Sequence, residues 1–243
     1  ERIEAGLAEE IRRELQMRNI TMAAVSGTFN MIHPDFRKRS DELRRLIELI
    51  RACPPLGTSV VTLCTGTRDP DDMWRPHPDN DLPEAWRDLR ASLDTVLPAA
   101  EATNVVLAFE PETANVVNSA RKGRRLLDEV KSPRLKVVMD GANLFHIAEL
   151  RRMREILEEA FDLLARDLVL AHAKELILSG PAGDLPLGAG ALDWDLYLGL
   201  LRQAKFAGPL AIHGLAEENV PASVAFLRGK TLATISPTPS KRS

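Results

Sequence analysis

The sequence predicts an α/β barrel of eight strand–helix units, and three observations carry that prediction. Short apolar or β-branched runs alternate with amphipathic segments along most of the chain. The runs are continuously apolar, as in strands of a parallel sheet covered on both faces. They recur roughly every 30 residues, the length of a strand–helix–strand crossover. At 243 residues the chain is long enough for one such barrel with a sizeable core.

The elements follow in order. Residues 7–19, LAEEIRRELQMRN, have helical spacing with no strand before them. A barrel whose first strand is absent from this chain accounts for that better than a six-stranded open sheet. Strands are expected at 21–27, 59–66, 105–111, 135–141, 168–175 and 209–214, with a weaker seventh near 184–188, DLPLG. Helices are expected at 40–53, 82–103, 117–130, 147–165 and 193–205, with Ser40 and Asp193 as caps. Residues 1–233 read as one domain. The tail 234–243, TISPTPSKRS, has no apolar period and reads as disordered.

Bulk composition excludes several classes. The formal net charge is −3, so no basic excess marks the chain as a nucleic-acid binder. Its arginines are interleaved with acids, as in LRRMREILEE, the mark of solvated helix faces. No run of about 18 apolar residues predicts a membrane span, and no signal peptide is visible. Cys53 and Cys64 form neither a disulfide framework nor a metal cluster by spacing; they read as small apolar residues of a reducing, cytoplasmic compartment.

In parallel α/β folds, ligands bind at the carboxyl ends of the strands. The run 105–111 holds Glu110 near its end, 135–141 holds Asp140, 168–175 holds His172, and 209–214 ends in His213 and Gly214. Singly, an acid there is often a turn former and a histidine a hydrogen-bonded core residue. Together, two carboxylates and two imidazoles are a ligand set for a divalent ion such as Mn, Co, Zn, Fe or Mg rather than Ca.

These stretches carry a family likeness. The chain resembles the sugar phosphate isomerase/epimerase superfamily, the xylose-isomerase-like TIM barrels. VVLAFEPE, KVVMDGANLF and LVLAHAKE are similar to its fourth, fifth and sixth strands, LPLGAGALDW to the turn before its penultimate helix, and FAGPLAIHGL to its last strand. The resemblance covers residues 7–230 or so. It implies Glu110, Asp140, His172 and His213 as metal ligands, with Glu110 doubling as base. Lys174 takes the position after the ligand histidine in an H-x-K-D/E pattern and is expected to hold an anionic group or the metal-bound oxygen.

The chain departs from the family at two places. His213 stands where most members have a second catalytic glutamate, so a two-carboxylate mechanism does not carry over. An imidazole there can bind metal or act as acid or base. Asn143 stands where many epimerases have a substrate-binding histidine; it can hydrogen-bond a hydroxyl but cannot titrate.

The stretch 64–86 is long for a strand–helix loop and contains Arg68, Trp74, Arg75, His77 and Asn80. Many family members carry a similar one. Trp74 is expected to stack on a sugar, Arg68 or Arg75 to pair with a phosphate or carboxylate, and His77 to contact substrate; the alternative is a surface loop whose Trp packs on the next helix. Glu112 and Asn115 are further hydroxyl binders, and Glu217 is a candidate for the missing carboxylate.

The resemblance therefore implies a metal-dependent isomerase or epimerase moving a proton beside the carbonyl of a small sugar. A dehydratase or lyase of an inosose-like substrate, or a barrel that binds sugar without turnover, are the alternatives. Such barrels often pair, so a homodimer is compatible. The branch of the fold that acts on damaged DNA uses more histidines than the 5 present here, and no nucleic-acid partner is expected.

Overall fold

The computed structural model describes residues 3–177 and 185–233. The expected tail, 234–243, lies outside them, as does Asp184. Residues 185–188 form a bend and a turn rather than the weak strand expected there.

Six parallel strands make one curled sheet: β1 (Val25–Ser26), β2 (Val60–Cys64), β3 (Val106–Glu110), β4 (Leu135–Asp140), β5 (Leu168–Ala173) and β6 (Leu210–Ile212). Their spatial order is their chain order, with β1 and β6 at the two ends. Of the eight units expected, the described residues thus supply six strands. The helices are α1 (Ala5–Met17), α2 (Phe36–Leu56), α3 (Pro83–Thr103), α4 (Ala120–Val130), α5 (Met153–Leu164), α6 (Trp194–Gln203) and α7 (Val220–Ala233). The periodicity of the sequence did not foresee α7.

Strand side chains alternate between two apolar environments. Leu107, Phe109, Val137, Met139, Ala171 and Ala173 join the main core beneath the helices, packed with Leu89, Leu93, Leu126 and Leu157. Ala108, Val138 and Leu170 form a separate cluster made of strand residues alone, the inner face of the curl. With both faces covered, the strands read as unbroken apolar runs.

The helices show why their ends fall where they do. In α2, Leu43, Leu46, Ile50 and Cys53 are buried at helical spacing. Ser40 is not its cap. The helix starts earlier because the Asp35 carboxylate accepts the N–H groups of Arg37 and Lys38, at 2.8 and 3.2 Å. Asp193 does cap α6, accepting from the Leu196 N–H at 2.9 Å. The expected helix 147–165 begins as a 3-10 turn, Ile147–Arg152, before α5.

At the end of β2 the chain turns sharply through Gly66, whose φ is +85. A Cβ there would lie 2.3 Å from Asn30 Oδ1 and 2.8 Å from the Met31 nitrogen. Gly66→Ala is therefore expected to destabilise the protein by about 1–3 kcal/mol, through both the backbone conformation and the clash. Urea denaturation measures this; an unchanged midpoint would contradict it.

Candidate metal and substrate site

Glu110 and Asp140 are the last residues of β3 and β4, His172 is next to last in β5, and His213 directly follows β6, its N–H donating to the Ala173 carbonyl at 3.0 Å. Each lies two residues beyond an inner-face position: Ala108, Val138, Leu170 and Ala211. Strand alternation therefore turns all four toward the inside of the curl.

One irregularity makes this possible. Val137 pairs with Leu168, but Val138 pairs with Leu170, so Val169 is an extra residue in β5. Asp140 consequently stands opposite His172. A regular ladder would set it opposite Ala171 and turn His172 to the helix side.

The side chains converge closely. His172 Nδ1 lies 3.3 Å from Glu110 Oε2 and 3.4 Å from Asp140 Oδ2. The His172 and His213 rings stack at 4.7 Å with 12° between their planes. Asp140, His172 and His213 each offer a ligand atom, all within 4.8 Å of one another. Asp140 Oδ1 accepts from the Ala142 N–H at 2.9 Å. Asp140 Oδ2 and His172 Nδ1, by contrast, are buried without a well-aligned hydrogen bond. Buried polar atoms are costly in that condition. A divalent ion among two carboxylates and two imidazoles suits such a donor set, so the residues present fit a metal.

The charges are strongly coupled. Burial would lower the pKa of His172, but the carboxylates of Asp140 and Glu110 outweigh it and lift it to about 9. Burial would raise Asp140, but His172 beside it and the charge of Lys174 hold it below the usual value. His213, at the exposed rim, is lowered by partial burial and by His172 beside it. Glu112 is pushed up to about 7 by burial, with the negative charge of Glu110 adding to it.

A second set of groups holds the first. Asn143 donates from Nδ2 to Glu110 Oε1 at 2.5 Å and accepts at Oδ1 from Lys174 Nζ at 3.0 Å. Lys174 thereby orients the amide that orients Glu110. The buried Tyr197 hydroxyl lies 2.9 Å from the Met139 carbonyl and 3.0 Å from that of His172, bracing β4 against β5 beneath the site.

Glu175 is the residue whose role sequence reasoning missed. It is 1% exposed, and its carboxylate accepts from the N–H groups of Leu176, Gly188 and Leu192 and from Trp194 Nε1, at 2.6–3.2 Å. It binds the turn before α6 to the end of β5. The signal was an acid inside the apolar stretch KELIL, followed by the glycines of LPLGAG.

Arg68 is nearly buried: it donates to the Ile32 carbonyl at 3.0 Å and pairs with Asp88 at 2.7 Å. Arg75 pairs with Asp69 at 3.1 Å. Trp74 is 53% exposed. His77 Nδ1 accepts from the Asp79 N–H and starts the 3-10 turn Pro78–Asp81. The buried Asn80 accepts from the Arg68 N–H. Asn115, 1% exposed, accepts from the Gly66 N–H at 2.6 Å and from Cys64 Sγ at 2.7 Å, and donates to Glu112. Glu217 is exposed on the 3-10 turn Glu217–Asn219.

The family is established by comparison. The chain matches the model of the xylose isomerase-like TIM barrel over residues 1–230, and it belongs to that family. No functionally curated protein matches its sequence. Among solved structures it is similar to a xylose isomerase domain protein from Planctomyces limnophilus, with a TM-score of 0.73 and 17% identity over 95% of this chain and 84% of that one. A 3-keto-D-glucoside 4-epimerase from E. coli gives 0.72 and 17% over 94% and 85%. The IolI protein with a bound zinc atom gives 0.70 and 15% over 94% and 81%. At these identities the likeness shows the fold.

Glu175→Leu is expected to cost about 3 kcal/mol or more, because three backbone N–H groups and an indole N–H lose a buried acceptor. Chemical denaturation reads the loss. Hydrogen exchange should locate it at Leu187–Trp194, and protection unchanged there would refute the assignment.

Proposed function

We propose that the protein is a divalent-metal-dependent enzyme that transfers a proton next to the carbonyl of a small sugar or keto-sugar. The observation that carries this is the convergence of Glu110, Asp140, His172 and His213, with two buried ligand atoms lacking aligned partners. The epimerase and the zinc-bound protein among its structural relatives support it.

When bound, the ion polarises a carbonyl and the hydroxyl beside it, which acidifies the intervening C–H. Asp140, His172 and His213 would hold it, with Glu110 as the fourth group. Glu110 is also the base: Asn143 fixes one of its oxygens and leaves the other facing the site. Glu112, near neutrality in its protonation, is the group suited to return a proton at pH 7.

This placement bears on the reaction. Epimerisation by two bases needs them on opposite faces of the substrate, and position 213 holds an imidazole rather than the expected carboxylate. Glu110 and Glu112 leave the same strand. A base and an acid rising from one strand favour the second reading, a dehydratase that removes a proton and releases a hydroxyl as water.

Because His172 carries a proton up to about pH 9 in the metal-free protein, Mn²⁺ must displace it. Affinity should therefore rise with pH toward that value, and binding near pH 7 should release about one proton. Calorimetry in two buffers of different ionisation enthalpy reads this, and binding without proton release would contradict the assignment. Asp140→Ala should weaken Mn²⁺ more than about 100-fold. Glu110→Gln should slow solvent deuterium uptake into a ketose by about 100- to 10,000-fold. A wild-type protein that neither binds a divalent ion nor exchanges any ketose proton would rule the enzyme out in favour of a binding barrel.

A further inference from the structure

We infer that the outer face of α5 is a docking surface for a second copy of this chain, bound antiparallel about a two-fold axis. The face lies on the layer of helices and is independent of the chemistry proposed at the strand ends.

Its charges are sorted by sign. α5 turns Leu157, Ala160, Phe161 and Leu164 to the core, which leaves the opposite side of the helix outside. At the end of the 3-10 turn Ile147–Arg152 and the start of α5, that outer side carries Arg151, Arg152 and Arg154. From there to the end of the helix it carries Glu155, Glu158, Glu159 and Asp162. All of them line one open groove of about 780 Å³, with Arg121 of α4 on its other bank. Part of this charge is met within the chain. Arg152 pairs with Glu155 at 2.7 Å, Arg154 with Glu158 at 3.1 Å, and Arg121 with Glu159. The two ends of the face are not met. Arg151 and Asp162 are both exposed, and among the described residues neither side chain makes an ion pair or a hydrogen bond.

This order of charge works against the helix on its own. Glu155 apart, bases gather at the start of α5, and an acid, Asp162, stands in its last turn, where there is no base. The helix macrodipole favours the reverse. The pairs Arg152–Glu155 and Arg154–Glu158 also put the base before the acid, the weaker order on a helix. A second copy removes the conflict. In a two-fold contact, residue i meets j and j meets i. An antiparallel α5 then lays the partner's Asp162 against Arg151 and the partner's Arg151 against Asp162, and sets the two helix dipoles in opposite directions. Residues 151 and 162 are roughly 17 Å apart along a helix. The two arginines, at opposite ends of the contact, are therefore further apart than the Debye length of about 8 Å at physiological salt. A parallel copy would set like charge against like, so the sorting selects the two-fold arrangement.

Contacts between exposed charges are weak and sensitive to salt, and the experiment reads that property. Sedimentation equilibrium of the whole chain is expected to show a monomer–dimer equilibrium with a Kd of about 1–100 µM in about 50 mM salt. The Kd should be at least about tenfold weaker in about 500 mM salt. Arg151→Glu alone sets acid against acid twice in each dimer, and Asp162→Arg alone sets base against base. Each variant should be monomeric where the wild-type protein is dimeric. Mixed in equal amounts, the two variants should dimerise again, because both contacts across the axis then join opposite charges. That rescue separates charge pairing from damage to the fold. A wild-type protein that stays monomeric well above this Kd range in low salt overturns the inference and leaves the groove to a different partner. A dimer that ignores salt, or one that persists in both single variants, uses another surface and overturns it as well. Loss of the dimer in the single variants with no rescue in the mixture does the same.

Discussion

Everything at the site depends on the level at which neighbouring parallel strands stop. Glu110 pairs with Cys64, Asp140 with His172, and Ala173 with Ile212, so the chain leaves β2 to β6 at nearly one height. Side chains on paired residues of adjacent strands point the same way. Four polar residues, each distant from the others in sequence, thereby reach one small volume, three from strands and His213 from the residue just after β6. The apolar layer beneath, Ala108, Val138 and Leu170, is what makes that height the first place water and charge can enter.

The same convergence sets up an electrostatic conflict. Carboxylates and imidazoles are drawn out of water by the curl of the sheet, and each alone would prefer its neutral form. They resist that by acting on one another: His172 stays charged because of Asp140 and Glu110, and Asp140 stays charged because of His172 and Lys174. Tyr197, Asn143 and Glu175 keep the backbone and side chains from relaxing apart. The fold therefore holds the site's charges against one another at the strand ends.

Much of this was legible in the sequence, and the illegible part has clear causes. Continuous apolar runs at crossover spacing read as a parallel sheet because both faces of each strand are covered. The strand-end residues were legible because each polar side chain interrupts an apolar run. The 64–86 loop was harder. Arg68 is a loop arginine by sequence, yet its partner Asp88 lies on α3, and nothing local announces that pairing. Asn115 reads as a hydroxyl binder but is absorbed by Gly66 and Cys64, 49 and 51 residues away. Ser40 reads as a cap because serine suits one, whereas Asp35 does so five residues earlier with two N–H groups in reach. Long-range polar partners carry no periodicity, so these contacts were not legible in the sequence.

Val169 packs against the apolar layer beneath the site and marks an irregular step in its ladder. It is the residue that sets β5 one step out of phase with β4. Losing its single codon would shorten the protein by one apolar residue among many, leaving the run LVLAHA nearly as apolar as before. The ladder would then run regularly, with Leu168 and Leu170 opposite Val137 and Val138 in turn, and Asp140 would still meet His172. The bulge thus absorbs a residue on the way into β5 while the register that aligns the ligands is kept beyond it.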